Sequence, residues 1–313
     1  MRILFAGTPA NAAQTLEALV SSGLDIVGVL TRPDSPIGRK QVLTPSPVAS
    51  LALAHGIPLI RSNQVEQTTL EEIAELNADI GVVVAYGSLL NTQALETLPK
   101  GWINLHYSLL PKLRGAAPVQ AAIKQGLQET GISLFQLDEG MDTGKILMQI
   151  PTQIQPGENS GRLMSRLTEL GISGLLELLP GIEAGFANAK AQDSNEATFA
   201  PKISRGEARI SWTADCRAIE NLINAMNPEP VAWTTLRDES FRVLEARTSL
   251  LSFADSDPGY PAGTVYESGT KVLVACNNGD ALELLVVQPA GKKAMSASDW
   301  LRGQKDKDQI VFE

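Results

Sequence analysis

The chain reads as an α/β protein in two parts, and three observations carry that reading. Short buried-looking apolar runs at residues 3–6, 26–30, 80–85 and 103–105 alternate with helical patterns, the first of them carrying Ala12, Leu16, Leu19 and Val20 at i, i+4, i+7 and i+8. A further run at 132–137 and a late helix marked by Leu163, Leu167, Leu170 and Leu175 continue the alternation. Near Lys190 the texture changes. The polar stretch Ala191-Gln192-Asp193-Ser194-Asn195-Glu196 leads into short strand-like runs at 209–212, 241–246, 271–275 and 281–287, interrupted by one helix at 216–226. The expected architecture is a doubly wound, Rossmann-like, mostly parallel sheet over 1–190, a linker over 191–207, and a smaller C-terminal β-barrel of OB-like type over 208–313.

Composition agrees with two domains: 313 residues that are 43% apolar can bury a sizeable core and exceed what one ordinary domain needs. No apolar stretch nears the roughly 18 residues of a membrane span, and the chain runs from Met1 straight into a strand pattern, so a cytoplasmic protein without a membrane partner is expected. Cys216 and Cys276 lie far apart, with no second pair to hold a metal and no reason to bridge in a reducing compartment; both read as structural. The net charge of −9 means that any polyanionic partner must meet cations gathered on one face. Lys202, Arg205, Arg209, Lys292, Lys293 and Arg302 are the candidates.

After the first strand, Gly7-Thr8-Pro9 stands where a dinucleotide fold would place its three-glycine fingerprint, but Pro9, Ala10 and Asn11 replace it. A nicotinamide cofactor is therefore not expected, nor is a P-loop, and Gly7 reads as a tight turn into a helix opened by proline.

The chemistry points elsewhere. Asn104 and His106 end an apolar run two residues apart, so in extended backbone both side chains leave the same face. Asp142 follows in Leu137-Asp138-Glu139-Gly140-Met141-Asp142-Thr143-Gly144. One amide, one imidazole and one carboxylate suffice to hold a carbonyl oxygen and move a proton, and with no better nucleophile in the chain the attacking group must come from the substrate. The bland alternatives are a packed histidine and a turn-capping aspartate bracketed by Gly140 and Gly144. His55, the other histidine, reads as the last turn of a helix closed by Gly56.

Several motifs are specific enough to name a family. Phe5-Ala6-Gly7-Thr8-Pro9, Gly38-Arg39 with Leu43-Thr44-Pro45-Ser46-Pro47, Val84-Ala85-Tyr86-Gly87, Asn104-Leu105-His106, Ser108-Leu109-Leu110-Pro111 with Arg114-Gly115-Ala116-Ala117-Pro118, and Asp142-Thr143-Gly144 resemble the methionyl-tRNA formyltransferases. Ala197-Thr198-Phe199-Ala200-Pro201-Lys202-Ile203 and Gln288-Pro289-Ala290-Gly291-Lys292-Lys293-Ala294-Met295 resemble that family's carboxyl-terminal region, so the likeness covers nearly the whole chain.

The resemblance implies transfer of the formyl group from 10-formyltetrahydrofolate, as cosubstrate, to the α-amino group of methionine on initiator tRNA, with no metal. It implies Asn104, His106 and Asp142 as catalytic residues. Ser108, Leu109, Leu110 and Pro111 would contact folate, and Tyr86, Gly87, Ser88, Leu89 and Asp138 would wall its pterin. Arg39, Lys40, Lys202, Arg205, Lys292 and Lys293 would bind tRNA. The chain departs from the family at Asn224 and Glu229, where an arginine and an aromatic residue are usual, and in a loop after the second strand with fewer lysines. An N-formyltransferase acting on a small amine, such as an amino-sugar nucleotide, would share the active site, and a noncatalytic RNA-binding protein on the same scaffold is the third alternative.

Overall fold

The computed structural model describes residues 1–38, 40–184, 188–252, 260–307 and 310–313. Its elements in chain order are β1 (Arg2–Gly7), α1 (Ala10–Ser21), β2 (Asp25–Thr31), β3 (Ser35–Ile37), β4 (Val42–Thr44), α2 (Pro47–Ala54), β5 (Leu59–Arg61), α3 (Gln67–Glu75), β6 (Ile80–Val84), α4 (Thr92–Glu96), β7 (Trp102–His106) and α5 (Pro118–Lys124). There follow β8 (Glu129–Gln136), β9 (Ile146–Gln153), α6 (Ser160–Leu178), α7 (Cys216–Ala225), β10 (Ala232–Leu236), β11 (Glu239–Ser252), β12 (Val265–Ser268), β13 (Lys271–Ala275), β14 (Asp280–Pro289), β15 (Met295–Ser296) and α8 (Ala297–Arg302). Among the described residues no helix is long and apolar enough to cross a membrane.

Two compact units result. The first comprises Met1–Ala116, Glu129–Gln153 and Met164–Ala200, and the second Ala117–Gln128, Ile154–Leu163 and Pro201–Glu313. This division is interleaved, against the consecutive boundaries expected at 190 and 207. Residues 117–128 fold with the second unit because α5 packs on α7, and residues 191–200 fold with the first because their backbone and side chains bond into it.

The first unit is built on a seven-stranded sheet of order β5-β2-β1-β6-β7-β8-β9. Strands β5, β2, β1, β6 and β7 run parallel, β1 and β6 as apolar runs buried on both faces, while β8 pairs antiparallel to β7 and β9 antiparallel to β8. The chain travels outward from β1 to β2 and β5, then returns to β6 on the other side of β1. That reversal opens a crevice at the carboxyl ends of β1 and β6. Helix α1 buries Ala12, Leu16 and Leu19 as its spacing indicates, with Pro9 at its N-cap. Helix α2 is capped by Ser46, whose hydroxyl accepts from the Ala49 amide, and ends at His55 and the left-handed Gly56 (φ +65°). The imidazole of His55 pairs with Glu17 on α1 at 2.9 Å.

In the second unit an antiparallel sheet runs β10-β11-β14-β13-β12, with β15 beside β14. The C-terminal tail closes it. On one edge Val265 N meets Ile310 O at 2.8 Å and Phe312 N meets Gly263 O at 2.9 Å; on the other, Glu313 N meets Thr235 O at 3.0 Å. Trp212, Phe241, Trp300 and Phe312 fill the interior, with ring centroids 4.7–5.9 Å apart in the four pairs they form. The run at 209–212 is not a strand, contrary to expectation: a single bridge joins Arg209 to Trp233, and Trp212 turns inward to donate from Nε1 to Thr234 Oγ1 at 3.0 Å. Cys216 and Cys276, expected to have no reason to bridge, form a disulfide with Cα atoms 5.7 Å apart. Cys216 opens α7 and Cys276 follows β13, and both are buried in one apolar cluster, so folding joins what 60 residues of sequence separate.

Candidate active site

Strand β7 pairs with β6 on one side and β8 on the other and carries both Asn104 and His106 on one face. Asn104 is half-buried, whereas His106 is 5% exposed. His106 Nε2 lies 3.0 Å from Leu113 O; because a carbonyl only accepts, Nε2 carries the proton and donates. Its other nitrogen, Nδ1, faces Asp142 Oδ2 at 3.7 Å, and Phe135 stands edge-on to the ring at 6.3 Å between centroids. Burial pushes the imidazole below its ordinary pKa, with the Asp142 charge and the Leu113 carbonyl opposing.

Asp142 is held from far away in sequence. Its Oδ2 accepts from the Gly115 amide at 2.7 Å, and its backbone is left-handed, φ +53°. The turn-capping role belongs to a neighbour instead: Asp138 Oδ1 accepts from Gly140 N at 3.1 Å and from Thr143 Oγ1 at 2.6 Å. Asp138 is thus the stitch of its own exposed loop. Two glycines make the closure possible. A side chain on Gly144 would collide with the Gln136 carbonyl, and one on Gly115 (φ +120°) would meet the Ala200 carbonyl at 2.6 Å.

The loop after β7 is locked from beneath. Ser133, opposite His106 in register, donates from Oγ to Ser108 O at 2.7 Å and accepts from Leu110 N at 3.0 Å. Gln149 on β9 donates to Leu110 O and Ser133 Oγ, both at 2.9 Å. Ser108 and Leu110 are buried, leaving Leu109 and Pro111 partly open. Sequence reasoning missed Ser133 and Gln149, since nothing in their spacing marks them.

Tyr86 departs from its expected role as a wall. Its ring is 1% exposed in the apolar core, its hydroxyl donates to Ser62 O at 2.7 Å, and its carbonyl accepts from Thr8 Oγ1 at 2.7 Å. It orients the loop that follows. Gly87 (φ +85°) and Leu89 are exposed there, Ser88 donates to Asn63 O, and Thr92 Oγ1 donates to Glu139 Oε1 at 2.8 Å, joining this loop to the one bearing Asp142. Leu89 and Met141, on the two joined loops, are 81% and 57% exposed.

Of the basic candidates, Arg39 lies outside the described residues, and Lys40 is exposed in the connection between β3 and β4. In the second unit the arginines Arg205 and Arg209 each stand 5.6 Å from the Trp233 ring centre. Trp233 pairs with Arg242 and Arg242 with Gln288, whose amide donates to Lys292 O at 3.1 Å. Arg205, Arg209 and Arg242 thus gather about Trp233, and Lys292 follows β14 on the far side of Gln288. Lys202 and Lys293 are exposed without such a tie. Among the described residues no group of three or more His, Cys, Asp or Glu is placed to hold a metal ion.

A family model described as Formyl transferase matches residues 1–179, and one described as Formyl transferase, C-terminal domain, matches residues 202–305. The chain is 43% identical over 313 residues to the methionyl-tRNA formyltransferase of Arthrobacter sp. (strain FB24), with 100% of each chain covered. It is 44% identical over 312 residues to that of Renibacterium salmoninarum, covering 100% of this chain and 99% of the relative. Among solved structures, an N-formyltransferase from Helicobacter canadensis in complex with folinic acid and dTDP-3-aminofucose superposes with a TM-score of 0.68 at 19% identity, over 92% of this chain and 98% of that one. HypX from Aquifex aeolicus gives a TM-score of 0.68 at 15% identity, over 98% of this chain and 49% of its own. At those identities the structural likeness shows a shared fold.

Proposed function

The chain belongs to the formyl transferase family, and on that premise we propose that it transfers the formyl group of 10-formyltetrahydrofolate to the α-amino group of methionine on initiator tRNA, in the cytoplasm. Support for the substrate comes from 42–44% identity along the whole length to relatives named methionyl-tRNA formyltransferase. Support for the chemistry comes from one observation: a buried imidazole at the end of β7 faces a carboxylate at 3.7 Å, with the Asn104 amide on the same strand face.

The donor supplies an electrophilic formyl carbon and a leaving nitrogen. An attacking amine with an ordinary pKa near ~8 needs little help to lose its proton, which suits a site without an activated serine or cysteine. Asn104 and His106 act on the formyl oxygen as negative charge develops there. In the geometry described, His106 does so by exchanging the Leu113 carbonyl for that oxygen at Nε2. Asp142 holds the ring from the Nδ1 side, favours its protonated form, and helps carry the proton from the amine to the leaving nitrogen, directly or through water. The exposed apolar side chains of Leu89 and Met141, on loops joined through Thr92 and Glu139, suit the flat ring of a folate. Together Arg205, Arg209, Arg242 and Lys292 suit a phosphate backbone, as does the loop carrying Arg39 and Lys40.

Purified protein incubated with 10-formyltetrahydrofolate and either charged initiator tRNA or amino-sugar nucleotides tests this reading. Formylation of the tRNA-borne methionine is expected. Turnover of the amino sugar alone would replace the reading with the small-amine alternative.

A further inference from the structure

We propose that Gln192 is a positioning residue for Asp142, and through it for His106. The proposal rests on the reading of that pair as the proton-handling centre. Residues 190–200 cross the first unit beside both halves of the site. Lys190 and Ile146 exchange two backbone hydrogen bonds of 2.8 Å just beyond the Asp142 loop, and further on Arg114 N donates to Thr198 O and Ala200 N to Arg114 O, both at 2.8 Å. Leu113 N donates to Thr198 Oγ1 at 2.9 Å.

Gln192 lies between these anchors and touches both sides at once. Its Nε2 donates to Asp142 O at 2.8 Å and to Gly144 O at 2.7 Å. Its Oε1 accepts from Arg114 Nε at 3.2 Å and from Nη2 at 2.7 Å, the guanidinium being part of a residue only 4% exposed. Arg114 immediately precedes Gly115, whose amide holds the Asp142 carboxylate. One side chain therefore ties the backbone of Asp142 to the segment that grips its carboxylate. It also helps keep Asp142 in a left-handed conformation that a non-glycine residue adopts only when its surroundings impose it.

The chemistry selects an amide. A carboxylate would accept from Arg114 but oppose two carbonyl oxygens, and a cation would repel the guanidinium; only an amide presents an acceptor to one side and two donors to the other. All four of its hydrogen-bonding capacities are used within the protein, so Gln192 acts on the reaction through Asp142 rather than by touching substrate.

The test combines Gln192→Ala with the isosteric Gln192→Glu, each alone and with Asp142→Asn. Both single variants should lose kcat by about 10–100-fold, with KM for donor and tRNA changed by less than about threefold. In the Asp142→Asn background, Gln192→Ala should add almost nothing, since its effect passes through the missing carboxylate. The chain has two histidines, so imidazole NMR resolves His106 once His55→Gln assigns the pair. Its titration midpoint should move to lower pH in Gln192→Ala as it does in Asp142→Asn, because each weakens the carboxylate's support of the imidazolium. Unchanged kcat, full multiplication of the two losses, or a loss of cooperative unfolding in both Gln192 variants would overturn the proposal. The NMR arm needs no substrate, so it stands or falls separately from the assigned reaction.

Discussion

Around His106 the polar groups are buried and committed; around Trp233 they are exposed and loosely held. His106, Ser108 and Arg114 are 5%, 1% and 4% exposed, and each holds a protein partner at hydrogen-bond distance. Arg205, Arg209 and Lys292 stand in solvent, tied by ring or backbone contacts alone. Interactions of the first kind act at low effective dielectric, where one lost partner leaves another unpaired. Those of the second kind are screened by salt and act nearly independently. Substitutions in the two regions should therefore differ in size, in additivity and in salt dependence.

The largest effect is expected at the strand end. His106→Ala or Asn104→Ala should lower turnover by about 10²–10³-fold while donor binding persists, because the lost groups act on charge that develops during reaction. Steady-state kinetics beside a folate-binding titration checks this, and near wild-type turnover in both variants would remove them from the mechanism. Asp142→Asn should come next, keeping the fold and losing most activity. If it were fully active, Asp142 would be no more than another loop stitch like Asp138.

Acid sharpens the contrast further. His106 has a folded-state pKa below its unfolded value, so between the two the unfolded chain binds a proton that the folded chain does not. Its contribution to stability is present above the unfolded value near ~6.5 and is lost as pH falls towards the folded one. Urea unfolding followed from about pH 7.5 to about pH 5 should show wild-type stability dropping more steeply than that of His106→Gln. Parallel curves would place the acid sensitivity elsewhere. The smallest effects belong to single cations. Arg209→Ala, Arg242→Ala and Arg39→Ala should each leave donor affinity alone and reduce the salt slope of tRNA binding by about one counterion, and their effects should add. Equal tRNA affinity at every salt concentration would exclude that residue as a phosphate contact.

What the sequence by itself determined follows from short-range periodicity. Strands β1, β2, β6 and β7 are legible as apolar runs, α1 from its spacing, and the cap of α2 from His55 and Gly56. Asn104 and His106 share a face because side chains on a strand alternate. The family motifs named the remaining candidate residues without showing how they are held. Tertiary structure decided everything that depends on partners distant in the chain. Gly115 meets Asp142 across 27 residues and Arg114 meets Gln192 across 78, so a polar stretch that reads locally as a linker folds into the site. Tyr86 went into the core because the Ser62 carbonyl, 24 residues away, satisfies its hydroxyl there. Cys216 and Cys276 met because α7 and β13 bury their ends in one cluster. A hydrogen bond or a bridge between distant segments leaves no period in the sequence, since its partner is chosen by packing and by the need to satisfy buried polar groups.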